Sequence, residues 1–220
     1  AASISLAART LGRGEQGDSL RGLVRVNAPP ALSHGFLALR LAQLVAQHPA
    51  LDIDLATDIR AVSLERHETD IAIRLTRPED GDVIARRLAT IAYGFYATPA
   101  LCQRLAAGEA PVFIGFDEAD SHVPEAAWLA RQFPRSRVAL RAGNQAVQAM
   151  AALSGAGVAL LPHYIGGAMA GLHPCALGPV PPTRDVWMLT RQRDRHDPLL
   201  RTVAQRIAAM FEQDAAMFGA

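Results

Sequence analysis

Lysine does not occur in this 220-residue chain; all 22 basic side chains are arginine. That absence excludes a Schiff-base lysine and the lysine of a phosphate-binding loop. Cysteine is nearly missing as well. Cys102 and Cys175 stand far apart in sequence, so we expect two free thiols in a reducing cytoplasm rather than a disulfide framework. No apolar run approaches the ~18 residues of a membrane span. Residues 1–20 lack the continuous apolar stretch of a signal peptide and pass into a polar run at 12–18. Charge of one sign is also lacking: 21 acids leave a net charge of +1, which provides no electrostatic footprint for nucleic acid.

What is present is apolar and alternating. Half of the residues are hydrophobic, enough for one large domain or two lobes of roughly 100 residues each. A β-rich run at 23–27 stops at Pro29-Pro30. Leu37, Leu41, Leu44 and Val45 then recur at helical spacing, with Ser33 as the expected N-cap and Pro49 as the stop. Residues 51–55 alternate as a half-buried strand does. A short helix is expected at 60–68, a strand at 70–75, and an extended stretch over 83–97 carrying Tyr93, Phe95 and Tyr96. Helices follow at 99–107, 125–132 and 145–154, and strands at 112–116, 137–141, 157–161 and 186–190. Pro198 opens a last helix striped by Leu199, Val203, Ile207, Met210 and Phe211. Residues 166–182, rich in Gly and Pro, read as a surface connection. Such alternation implies parallel sheets flanked by helices, as one large sheet or two small ones.

The motifs of common enzymes fail on context. Gly155-Ala156-Gly157 has Leu160 where a dinucleotide loop needs its third glycine, and it follows a helix instead of a strand. There is no G-x-S-x-G nucleophile turn. His163, His173 and Cys175 match no common metal spacing. The run Arg191 to His196 is interrupted by Asp194 and reads as a solvated turn. We therefore expect no catalytic residues, no metal and no cofactor.

Ligands of open α/β sheets bind beyond the carboxyl ends of the strands, where helix N-termini also point. That rule selects Pro29, Pro30, Ala31, Leu32 and Ser33 after the first strand, Asp58, Ile59 and Arg60 after the second, and Arg74 and Leu75 after the third. On the later strands it selects Phe116, Asn144, Gln145, Pro162 and His163. Each has a plainer reading: the prolines stop a strand, Asn144 caps a helix, and Arg60 and Arg74 pair with surface acids. Their shared edge is what makes them a set.

The ordered segments 20–29, 44–55, 63–66, 69–75, 86–88, 96–100 and 151–162 resemble the effector-binding domain of LysR-type transcription regulators. The resemblance covers residues 20–211. It implies an α/β fold of two Rossmann-like lobes joined by two crossover strands, like type 2 periplasmic binding proteins. Residues 21–92 and 192–220 would form one lobe and 93–191 the other, with crossings near 91–95 and 187–191. Residues 1–20 would be the remnant of a linker to a missing DNA-binding domain. A small effector, anionic or aromatic, would sit between the lobes, and DNA would be bound only through the absent domain. The family also implies a homodimer, tetrameric in the full-length protein, that pairs the helix near 33–47 with the helix near 145–154 of a second copy; Leu39 suits that contact. Many members carry a Ser or Thr hydroxyl where Pro30 and Ala31 stand here, which weakens the expectation of a carboxylate held at that point. A transport-type solute-binding protein is the alternative with the same architecture.

Overall fold

The computed structural model describes residues 20–57, 69–78 and 82–219. Two five-stranded sheets organise the chain. The first holds β1 (Arg21–Asn27), β2 (Ala50–Ala56), β3 (Ile71–Arg74), β4 (Val83–Ile91) and β10 (Arg184–Arg191), in the order β2-β1-β3-β10-β4. The second holds β5 (Tyr93–Ala97), β6 (Phe113–Gly115), β7 (Val138–Arg141), β8 (Val158–Pro162) and β9 (His173–Cys175), in the order β7-β6-β8-β5-β9. The expectation of purely parallel sheets is corrected. β10 runs antiparallel to β3 and β4, and β5 antiparallel to β8 and β9. The cause is topological: β5 and β10 each arrive from the other lobe and so run against the parallel strands beside them.

The first crossing lies where expected, at Ala92 between β4 and β5. The return does not fall at 187–191. β10 pairs with β3 and β4 throughout Arg184 to Arg191, so the chain comes back between Cys175 and Arg184. The Gly- and Pro-rich stretch is also more than a connection, because it contains β9.

In the first lobe, helical segments run on without a break: α1 (Pro30–Leu32), a π-helical turn (Ser33–Leu37) and α2 (Ala38–Gln47). Pro30 starts α1 because its fixed φ suits a first turn that needs no N–H. Ser33 is therefore inside the helix and not its N-cap; its hydroxyl donates to the Ala28 carbonyl at 3.3 Å. The last helix, α7 (Pro198–Gln213), is capped by Asp197, whose carboxylate accepts from the Leu200 amide at 3.0 Å. It buries Val203, Ile207 and Phe211 against the sheet, as the stripe required. Phe36, Phe211 and Phe218 then pack with ring centroids 4.6–5.2 Å apart.

In the second lobe, α3 (Pro99–Ala106), α4 (Pro124–Gln132), α5 (Gln145–Leu153) and the one-turn α6 (His163–Gly166) cover the sheet. Phe95, Phe113 and Phe133 form the aromatic core there. The lobes touch at their joint. A Cβ on Gly35, in the π-helical turn, would stand 2.9 Å from the Tyr164 ring and 3.0 Å from Ile165, so only glycine lets α6 approach so closely. Tyr164 reaches Phe218 at 5.4 Å, and the Phe218 carbonyl accepts from the Ala92 amide at 2.7 Å.

The expectation of free thiols is corrected too: Cys102 and Cys175 are bonded. Pairing of Phe95 with Cys175 in the β5–β9 ladder brings β9 beside the start of α3, where Cys102 lies. That proximity is tertiary and cannot be read from a separation of 73 residues. Similarly, Arg191 is buried rather than solvated, donating to the Thr69 carbonyl at 2.7 Å and to Asp70 at 2.9 Å, and also pairing with Asp194. For a loop of this length, chain entropy makes the bridge worth about 4 kcal/mol. Cys102→Ser is expected to lower the unfolding free energy by about that amount, and reductant should do the same to the unmodified protein, as read by urea titration.

Candidate functional site

The carboxyl ends of the parallel strands of both sheets face one cleft of about 490 Å³. The first lobe contributes Pro29, Pro30 and Ala31, where β1 turns into α1, with Thr57 after β2 and Leu75 after β3. The second contributes Phe116 after β6 and Gly143, Asn144 and Gln145 before α5. Asp120, Val123 and Glu125 complete the wall. The volume lies in the range of small-molecule sites.

A charged pair bridges the lobes here. Glu125, in the first turn of α4, is almost fully buried, and Arg184, the first residue of β10, meets its carboxylate at 2.8 Å. Arg184 also donates to the Leu75 carbonyl at 3.2 Å. The Tyr93 hydroxyl, on β5, donates to Glu125 at 3.3 Å. Burial first, and the charge of Glu125 next, push the Tyr93 pKa well up, so it keeps its proton. One carboxylate thus accepts from both crossover strands.

Of the positions picked from sequence, Pro29, Pro30, Ala31, Leu75, Phe116, Asn144 and Gln145 border the cleft. Leu32 and Ser33 are buried in the core beneath it. Arg74 turns away: its guanidinium donates to the carbonyls of Asn27 and Ile73 at 3.3 and 2.8 Å, and burial lowers its pKa. Pro162 and His163 lie at the joint. The His163 amide donates to the Ala92 carbonyl at 3.1 Å, its ring meets the Tyr96 hydroxyl at 2.7 Å, and burial lowers its pKa. Asp58, Ile59 and Arg60, with the helix expected at 60–68, lie outside the described residues. Asn144 does cap α5, its side-chain oxygen accepting from Ala146 N at 2.8 Å.

Sequence reasoning missed Glu125 and Arg184. The signals were there: Val123-Pro124-Glu125 reads as a helix start, and a lone arginine precedes the apolar strand of β10. Nothing local says that these two points meet. Among the described residues, no group of three or more His, Cys, Asp or Glu side chains is placed to hold a metal ion, and no helix is long and apolar enough to cross a membrane.

Arg184→Ala leaves Glu125 buried without its cation and is expected to cost about 3–5 kcal/mol of stability. The double change Arg184→Met with Glu125→Leu removes both charges and should recover most of that loss, measured by chemical denaturation.

Comparison with known proteins now adds to the geometry. A family model described as the LysR substrate binding domain matches residues 17–212. The mau operon transcriptional activator of Paracoccus denitrificans is 30% identical over 192 residues, covering 87% of this chain and 66% of the activator. The chain thus spans just under two thirds of that relative. Among solved structures, CrgA, a LysR-type transcriptional regulator from Neisseria meningitidis, superposes with a TM-score of 0.69 at 17% identity, covering 96% of this chain and 74% of that one. The CrgA regulatory domain alone gives 0.67 at 18% identity, covering 90% of this chain and 100% of the other. These two establish the same two-lobed fold.

Proposed function

This chain belongs to the LysR substrate binding domain family, and from that premise we propose that it is the effector-sensing module of a cytoplasmic transcription regulator and carries no catalysis of its own. One observation supports this above the others. The positions where both sheets offer strand ends and helix starts converge on a single cleft, and residues of both lobes line it. A small molecule held there contacts both lobes at once. It shifts the population toward whichever lobe arrangement it binds better, and by no more than that difference in affinity.

The signal needs a route out of the lobe pair. α5 provides one, because it is built inside out: Gln145, Gln148, Ala149 and Ala152 are buried, while Val147 and Met150 are 50% and 59% exposed. On the first lobe Leu39, on α2, is 66% exposed. Apolar side chains left in water on two helices suit a self-association surface. In this reading α2 of one copy meets α5 of another, and DNA is read by a part of the regulator outside this chain.

Two experiments test the reading. Ala31→Trp fills the cleft from the α1 side and is expected to abolish effector-dependent transcription in the intact regulator while leaving its expression level unchanged. Retention of induction would refute the cleft as the sensing site. Met150→Asp is expected to shift the chain from dimer to monomer in sedimentation, and a dimer that persists would place the contact elsewhere.

A further inference from the structure

The chemistry of the cleft wall, taken with the sensing role proposed above, says what kind of molecule it admits. Gln145 is a buried residue on that wall, and its Nε2 donor has no hydrogen-bond partner. A buried amide donor without an acceptor is unfavourable, so the site is stabilised by anything that brings an oxygen to it. The neighbouring cap oxygen cannot do so, since Asn144 already accepts from Ala146 N.

Charge narrows the choice. α5 has nine residues, and its N-terminus would ordinarily attract an anion. Here that demand is met from within. A Cβ on Gly143, immediately before Asn144, would fall 2.7 Å from the Asp120 carboxylate and 2.8 Å from that of Asp117. Two carboxylates therefore already press against the start of this helix. Among the described lining residues the charged side chains are Asp120 and Glu125, both acidic. The nearest cation, Arg184, is engaged by Glu125 and the Leu75 carbonyl. An incoming carboxylate would meet like charge with no cation to offset it. An incoming ammonium would bring donors to a wall whose unmet need is for an acceptor. Pro29, Pro30, Ala31, Leu75, Phe116 and Val123 make the rest of the surface apolar.

We propose that the cleft selects an uncharged, largely apolar ligand, with a carbonyl or equivalent oxygen that accepts from Gln145. This narrows the anionic or aromatic effector suggested by the sequence to its aromatic, uncharged branch, and it makes Gln145 the specificity-determining residue.

Three probes of one ring size separate the classes: benzamide, benzoate and benzylamine, titrated into the 220-residue chain by calorimetry at millimolar concentrations. Benzamide is expected to bind at least about tenfold more tightly than either charged probe. Gln145→Leu should weaken it by about five- to tenfold, as loss of one hydrogen bond predicts. Gln145→Glu, which keeps the shape but removes the donor, should do the same and guards against a folding artefact in the first variant. Asp120→Asn should narrow the gap between benzoate and benzamide. Benzoate binding as tightly as benzamide, with both abolished by Ala31→Trp, overturns the ligand class and leaves the cleft in place. Benzamide binding that survives Ala31→Trp overturns the cleft itself as the binding site. No binding of benzamide to the unmodified chain also overturns the inference.

Discussion

Two lobes joined by two strands need a reason to hold one arrangement, and in this protein the reason is concentrated in the carboxylate of Glu125. It belongs to the second lobe but takes its cation from the first strand residue of β10 and a hydroxyl proton from β5. Those are the two strands that pass between lobes, so the group fixes the distance between the crossings. Because it is buried, the interaction is all or nothing. Its partners are worth little while the site is intact and a great deal once one of them leaves. The same group forms part of the cleft wall. What seats a ligand and what sets the angle between lobes are thus neighbours, and binding energy reaches the joint without a long relay.

The joint is reinforced on its other side by packing rather than charge. Gly35 lets α6 lie against the π-helical turn, and Tyr164 enters the aromatic group of Phe36, Phe211 and Phe218. A π-turn inserts an extra residue into a helix and often marks a position under functional constraint. Here it lies between α1, whose start borders the cleft, and α2, whose Leu39 is left exposed. The helix therefore changes its winding between a ligand-facing segment and a partner-facing one.

Local patterns made much of this legible. The spacing of Leu199, Val203, Ile207 and Phe211 yields α7, and Pro29-Pro30 marks the end of β1. The rule that strand ends gather ligands picked seven residues that border the cleft. The failures share a cause. Ser33 looked like a cap because its side chain suits one, but Pro30 had already begun the helix. Cys102 with Cys175, Glu125 with Arg184 and Arg191 with Asp70 are contacts between segments distant in sequence, which no window of residues contains. Arg74 occupies the right strand end, yet its guanidinium folds back onto carbonyls of its own lobe. Strand position fixes where a side chain starts, not where a long flexible one finishes.

The bond between Cys102 and Cys175 has a mechanical side. It closes a ring around most of the second lobe, and the described ends of the chain, at Leu20 and Gly219, both belong to the first. Tension applied through those ends must enter along β4 and β5 and leave along β10. On that path the load passes through the sulfur atoms instead of the 73-residue span between them. About 250 Å of contour is thereby shielded, and β6, α4, β7, α5 and β8 keep their shape while the other lobe is pulled apart.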